Sequence, residues 1–373
     1  MKKRLMSAGL LLSGLVFLGC GKDAAPQGDP LASVKLPADT DAVMSVHGLN
    51  IDRVPALDAW GKAISKLVGV PIDLNKLLEA KLAELPKPDD KVAEWLTLFD
   101  INAEQGTTGI RSLSLAVTKP EDRATRNGLR ITGAAVGERL NAANIVSRLM
   151  EEYETTVPAE EKKTTVLTRT SSTSLTLDSK EEGLVGHLSA LQNGKGLRLT
   201  LGEEATAFLD ADCPMARAFL PMPGTDISVR LAVAKLEEVK DLSGMVPGNP
   251  LSGPRIKLPN SEDITAVDAA LGLRGTELCL NLRVEYKDAK VVAEIEAGYK
   301  TQFTQGLETM SAQMPNLKPL AELLKTNLRP TFSGNVLTVT LTLTPEEFEK
   351  AVAPALKELQ AMFQGMFGGP AGK

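Results

Sequence analysis

Aromatic residues make up only 4% of this 373-residue chain, too few for the stacking platforms on which bases or sugars are held. Histidine is scarcer still. His47 and His187 stand alone, neither with a second His at ligand spacing, so no metal site is expected. There is no Gly-x-Ser-x-Gly elbow, and Gly194-Lys195-Gly196 lacks the remaining residues of a phosphate loop, so it reads as a turn. The acidic pairs Asp89-Asp90, Glu160-Glu161, Glu181-Glu182 and Glu237-Glu238 fall in polar segments and read as solvated surface, not as the cleft of a glycosidase. No cofactor is implied. No basic run exists either, and 42 Lys and Arg face 47 Asp and Glu. An acidic body of this kind repels nucleic acid and anionic head groups.

What is present begins at the N-terminus. Lys2, Lys3 and Arg4 precede an apolar run from Leu10 to Leu18. That is the charged and apolar part of a secretory signal, and the run is too short to span a hydrocarbon core of about 30 Å. The next residues, Phe17-Leu18-Gly19-Cys20, resemble the lipobox of bacterial lipoproteins. Gly19 fits the small residue before the cut, while Phe17 and Leu18 stand where that family prefers Leu and a smaller residue. The resemblance implies removal of residues 1–19, a diacylglycerol on the Cys20 thiol and an acyl chain on its new amine. Several acyl chains at about 0.8 kcal/mol per buried CH₂ anchor a protein permanently. Gly21, in place of the Asp that holds lipoproteins of this family at the inner membrane, implies an outer-membrane position facing the periplasm. Without the signal's three basic residues the chain carries a net charge of −8.

Lipidation of Cys20 leaves Cys213 and Cys279. In an oxidising envelope these can form a disulfide. Cys279 lies on the face of its strand opposite the leucines of Leu278-Cys279-Leu280-Asn281-Leu282, which predicts an outward thiol. Two separate free thiols are the alternative.

Residues 20–35 form a polar tether with Pro26, Gly28 and Pro30. Patterning then predicts a strand over 42–48 and a helix marked by Leu57, Trp60, Ile64 and Leu67. Further helices are expected over 74–85, 92–99, 203–209 and 236–242. Strands are expected over 110–118, 129–137 and 197–201, with a polar hairpin over 164–178. Asn141 is placed to cap a helix carrying Ile145, Leu149 and Tyr153. Met215–Gly224, among three prolines, reads as a boundary between halves. Beyond it come strands over 226–234, 265–273 and 277–285. Asp288 then caps a long helix with an apolar stripe from Val292 to Met314, stopped by Pro315. A helix over 317–328 and a hairpin turning at Gly334-Asn335 follow. Thr344-Pro345-Glu346-Glu347 is a helix start with a capping box, and Pro354 is expected to kink or divide that helix.

The halves match each other. Thr40-Asp41 corresponds to Thr225-Asp226 at an offset of 185, Ala143 to Ala289 at 146, and Leu199-Thr200-Leu201 to Leu341-Thr342-Leu343 at 142. Falling offsets in a constant order are what duplication with deletion leaves. Two α+β repeats are therefore expected, 36–220 and 221–365, each an antiparallel sheet of hairpins with helices packed on one face and the other face partly wet. Residues 366–373 would fray. The opening Leu36-Pro37-Ala38-Asp39-Thr40-Asp41 resembles the start of uncharacterised repeat-containing envelope proteins, a likeness that implies no activity.

These features point to a non-catalytic envelope lipoprotein that binds another envelope component, a protein partner first. A carrier or sensor of an apolar ligand such as lipid is the second expectation, from the Met-bearing stripe of 292–314. A hydrolase without a recognisable motif is third. If Cys20 is the anchor, Cys20→Ser moves the protein from the membrane pellet to the soluble envelope fraction; unchanged retention in that fractionation would refute lipidation.

Overall fold

The computed structural model describes residues 30–48, 55–77, 97, 101–102, 107–118, 130–180, 183–191, 195–202, 213–234 and 261–367. Cys20 and the signal lie outside these, as do the helices expected over 203–209 and 236–242 and nearly all of those over 74–85 and 92–99. The fold is α+β with antiparallel pairing throughout. It divides into two compact units, Met1–Arg53 with Glu79–Ala234, and Val54–Leu78 with Lys235–Lys373.

Unit 1 contains β1 (Ala42–His47), a small ladder of β2 (Ile101–Asn102) and β3 (Thr107–Thr108), β4 (Ile110–Thr118), β5 (Arg130–Gly137), β6 (Thr165–Ser171), β7 (Ser174–Ser179), β8 (Leu184–Ala190), β9 (Gly196–Gly202) and β10 (Ile227–Val233). The main strands lie in the order β10-β1-β4-β5-β9-β8-β7-β6. Period-2 alternation sorts their side chains into two faces. On one face Val46, Ala135, Leu197, Leu188 and Leu175 meet Ile145 and Val146. Those two belong to helix α2 (Ala142–Thr156), whose Asn141 cap accepts from the backbone N–H groups of Ala143 and Asn144. A short helix, α3 (Ala159–Thr164), follows it.

The opposite face, expected to be partly wet, is covered over much of its area, while Asp178 stays exposed and Thr176, His187, Ser189 and Arg198 half-buried. Val43, Ala116, Ala134 and Ala232 are buried there against Leu31, Val34, Leu36, Met215, Ala218 and Phe219. Leu31 belongs to a 3-10 segment, Pro30–Ser33, with Val34 and Leu36 just after it, so residues 30–35 of the expected tether are part of the core. Met215, Ala218 and Phe219 belong to a second 3-10 segment, Pro214–Phe219. The stretch read as a boundary, 215–224, is thus a strap folded onto unit 1.

Unit 2 holds helix α1 (Pro55–Val68), β11 (Ile264–Arg274), β12 (Glu277–Tyr286), α4 (Ala289–Gln313), α5 (Lys318–Asn327), β13 (Leu328–Ser333), β14 (Val336–Leu343) and α6 (Pro345–Phe367). Its strands run β13-β14-β12-β11. Asp288 caps α4. Thr344 and Glu347 close a reciprocal capping box: Thr344 N–H donates to Glu347 Oε2 at 2.9 Å, and Glu347 N–H donates to Thr344 Oγ1 at 3.2 Å. That Thr344 N–H bond is the main reason the Glu347 carboxyl titrates below its usual range. α6 runs through Pro354 without dividing. β13 carries Pro330 at the outside of the ladder.

The two compact units do not coincide with the repeats expected to meet at 220/221. β10 pairs along its length with β1, Ala42 opposite Val233 through His47 opposite Ser228, and so belongs to unit 1. α1 instead belongs to unit 2, where Trp60 packs on Phe348 at 5.4 Å and donates from its indole to the Thr276 carbonyl at 3.0 Å.

Duplication itself gains support from register. Ser45 faces Arg230, its own counterpart at offset 185, so the β1–β10 ladder centres on a pair of equivalent residues. β4–β5 shifts register after Ile110 and β11–β12 after Ile264, which places matched bulges 154 apart. β9 lies beside β5 with β8 outside it, as β14 lies beside β12 with β13 outside it. Following these registers, the row Val117–Ile131–Leu201 corresponds to Leu271–Leu280–Leu341, so the last offset is 140 and not 142.

Phe219 is 1% exposed and anchors the strap. Phe219→Ala is expected to cost about 3–5 kcal/mol of stability in urea denaturation. A loss below about 1 kcal/mol would mean that the strap is peripheral to the core.

Candidate functional site

The strap-covered face of unit 1 is unusual in what it buries. Ser228 and Arg230 on β10, Ser45 and His47 on β1, Ser114 on β4, Thr132 on β5 and Thr200 on β9 are all less than 9% exposed. Antiparallel register sets them in rows: Arg230, Ser45 and Ser114 in one, Ser228, His47 and Ser112 in the next.

Most of these groups serve the strap. Its carbonyls have no ladder partner, and a carbonyl buried without one costs about 1–3 kcal/mol. Ser45 Oγ donates to the Ala218 carbonyl at 2.6 Å, and Ser114 Oγ to that of Phe219 at 2.9 Å. Arg230 Nη1 donates to the carbonyls of Arg217 at 2.6 Å and Leu220 at 3.2 Å. Ser228 Oγ accepts from Met222 N–H at 3.1 Å. Gly48 closes β1 with φ +78, where a Cβ would sit 2.2 Å from the Asp226 carbonyl oxygen. Only glycine permits that approach.

His47, Thr132 and Thr200 do not bond the strap, and of these His47 carries a titratable group. It is 3% exposed, and neither ring nitrogen has a hydrogen-bond partner. Burial first, and then the Arg230 charge, hold its pKa down to about 3. Such an imidazole stays neutral throughout the physiological range. It lacks what a general base needs, a partner within hydrogen-bond reach.

His187, outside every strand expected from the sequence, lies inside β8 between Thr176 and Thr200. β8 escapes period-2 reading because Gly186 breaks its alternation. A Cβ there would meet Leu201 Cδ2 at 2.9 Å and Leu177 Cβ at 3.2 Å, so those leucines would have to shift to admit a side chain. Burial and then Arg198 lower the His187 pKa. The two histidines share one sheet face but stand on strands separated by β4, β5 and β9.

Cys213 and Cys279 are both free and buried. Cys213 Sγ caps the strap, accepting from Met215 N–H at 3.3 Å. The outward position expected for Cys279 is reversed, since the thiol is 3% exposed while neighbouring Leu280 is 37% exposed. Burial, as the largest cause, pushes the Cys279 thiol pKa up. Both thiols are shielded from the solvent that would carry an oxidant. Among the described residues no group of three His, Cys, Asp or Glu is placed to hold a metal ion, and no helix is long and apolar enough to cross a membrane.

Apolar side chains are exposed in each unit. On the helix-bearing face of unit 1, Leu115, Val229 and Leu231 are 38%, 38% and 44% exposed and flank half-buried Met44. In unit 2, α4 fully buries only Val292 of its stripe. Tyr299 stacks on Phe303 at 4.9 Å, and Met314 is 47% exposed.

No protein-family model and no curated protein matches the chain. Among solved structures, TP0453 is similar in three crystal forms, each 11% identical and each covering 88% of this chain. Forms IV and III align with a TM-score of 0.34 over 97% and 98% of their own length. Form I aligns at 0.31 over 98%.

The His47 pKa has a consequence for stability. A folded value of about 3 against 6.5 unfolded means that acid favours unfolding, because below pH 6.5 only the unfolded chain takes up this proton. Stability should fall by about 1.4 kcal/mol per pH unit from this group, roughly 5 kcal/mol in all by pH 3. Urea denaturation at a series of pH values should show that slope, and His47→Met should remove it. An identical pH dependence in His47→Met would assign the acid sensitivity elsewhere.

Proposed function

We propose that this protein is a lipid-anchored envelope protein without catalytic chemistry, which acts by binding another envelope component, a protein first. The observation that carries the reading is the open apolar face around Met44. Leu115 and Leu231 stand on either side of Met44 in register, with Val229 beside them. Contiguous exposed apolar surface of this kind marks an interaction site on a soluble face. The same face is fully buried one row away, at Val46 and Ala135, where α2 covers it. The exposed part is therefore a continuation of core-type surface left uncovered by the described residues.

The residues singled out for chemistry support this reading over hydrolysis. Ser45, Ser114 and Arg230 are committed to strap carbonyls. His47 faces two serines without a hydrogen bond to either.

A carrier of an apolar ligand is the second reading, favoured by one observation in unit 2. From Ile295 to Met310 the α4 stripe is half-buried, where a helix over a filled core would be buried on that face.

Cross-linking in intact cells tests the first reading. A defined cross-linked partner is expected with the wild type and not with Leu115→Asp combined with Leu231→Asp. These exposed positions should tolerate the change with little loss of stability. Equal recovery of the partner from both proteins would remove this face as the binding surface. Native mass spectrometry of the same preparation separates the readings, since co-purified lipid favours the carrier and a clean apo mass counts against it.

A further inference from the structure

The strap-covered face continues beyond the strap's own bonds, and there it leaves polar atoms without a role. Thr132 on β5, Thr200 on β9 and His187 on β8 stand side by side in one row. In the next row Ser189 on β8 stands beside Arg198 on β9. Thr132 Oγ1, His187 Nδ1 and Ser189 Oγ are each shielded and have no hydrogen-bond partner. Thr132 is 1% exposed, whereas His187, Ser189 and Arg198 are half-buried, so the cluster runs from a covered floor to the surface.

The chemistry of these groups is one-sided. Two hydroxyls and an imidazole can donate, and Arg198 adds a positive charge close enough for its field to lower the His187 pKa. Arg198 is itself held by a further interaction. Asp178 is the one carboxylate on this face among the described residues of β5, β9, β8 and β7; it is exposed and sits opposite Val185, a row away. Diagonal neighbours on adjacent strands lie about 7–8 Å apart, within reach of a long side chain. Arg198 can therefore meet a group held by Thr132 or His187. Hydroxyls, an imidazole and a guanidinium on one patch of three adjacent strands suit a tetrahedral oxyanion, which accepts from each of them.

We propose that Thr132, His187, Ser189 and Arg198 form a binding site for a phosphate-type oxyanion, either the free ion or a lipid head group. The site lies on the sheet face opposite Leu115 and Leu231 and is independent of the binding role argued above. A bound anion stabilises the imidazolium, so it raises the His187 pKa from its lowered position and binds more tightly as pH falls.

The test is a titration of the full mature protein followed by the His187 imidazole resonance, once with inorganic phosphate and once with dihexanoylphosphatidylglycerol. His47, buried beneath the strap, is an internal reference that should not move. A saturable His187 shift with a raised pKa is expected for at least one probe. Phosphate alone identifies the free ion, and the lipid alone identifies the head group. Thr132→Val should weaken that binding about tenfold, the value of one hydrogen bond to a charged group. The same variant should be more stable than the wild type without anion, because it removes a buried hydroxyl that has no partner. No saturable His187 response to either probe would overturn the proposal, as would equal affinity in Thr132→Val.

Discussion

Four hydrogen bonds from three side chains to carbonyls of the strap organise unit 1. Ser45, Ser114 and Arg230 reach out of one sheet row to the carbonyls of Arg217, Ala218, Phe219 and Leu220. A chain segment without ladder partners can be buried on a sheet only if the sheet supplies its bonds. Once it does, Phe219 and Ala218 sink to 1% exposure and fill the face that helices leave open. The polar character of that face is thus a requirement of packing. It also explains why Ser45 and Ser114 stand at positions where a helix-covered face would carry valine or leucine.

The same constraint sets the electrostatics. Holding the strap places a guanidinium in a buried row, and the neighbouring row holds His47. Neutral imidazole is the form that such a row accepts, since burial and then the Arg230 charge both disfavour the imidazolium. Acid sensitivity follows from the packing without any need for a sensing role. In unit 2 the balance differs. Among the described residues Ile264, Val284, Tyr286, Val292 and Leu337 form its buried cluster, and its helices keep much of their apolar surface half-open.

Much of this was legible in the sequence wherever a local rule decides the outcome. Asn141, Asp288 and Thr344 cap helices as their positions predict. The alternating strands pair as hairpins, and the match of Thr40 with Thr225 finds its counterpart in the Ser45–Arg230 register. Long-range partnership was not legible. Nothing near residue 217 says that its carbonyl meets Arg230, so a proline-flanked stretch reads as a linker when it is core. Cys279 was placed outward because its strand alternates, but alternation identifies two faces without saying that both are covered. β8 was lost to Gly186, which sits closely against Leu201 and Leu177 and which periodicity penalises. The unpartnered atoms of Thr132, His187 and Ser189 had no signal at all, because register brings them together from three strands.

Pro330 shows how the fold ends. The Gly334-Asn335 turn leaves Ser333 opposite Val336 as a hydrogen-bonded pair, and such pairs alternate along an antiparallel ladder. Three residues back, Pro330 occupies a non-bonded position, so the nitrogen that lacks a hydrogen is the one turned away from β14. An incoming strand would find a missing donor and a bulky ring where it needs to dock. The sheet is closed to further growth on this side by a single residue, which guards the molecule against edge-to-edge stacking with its own copies.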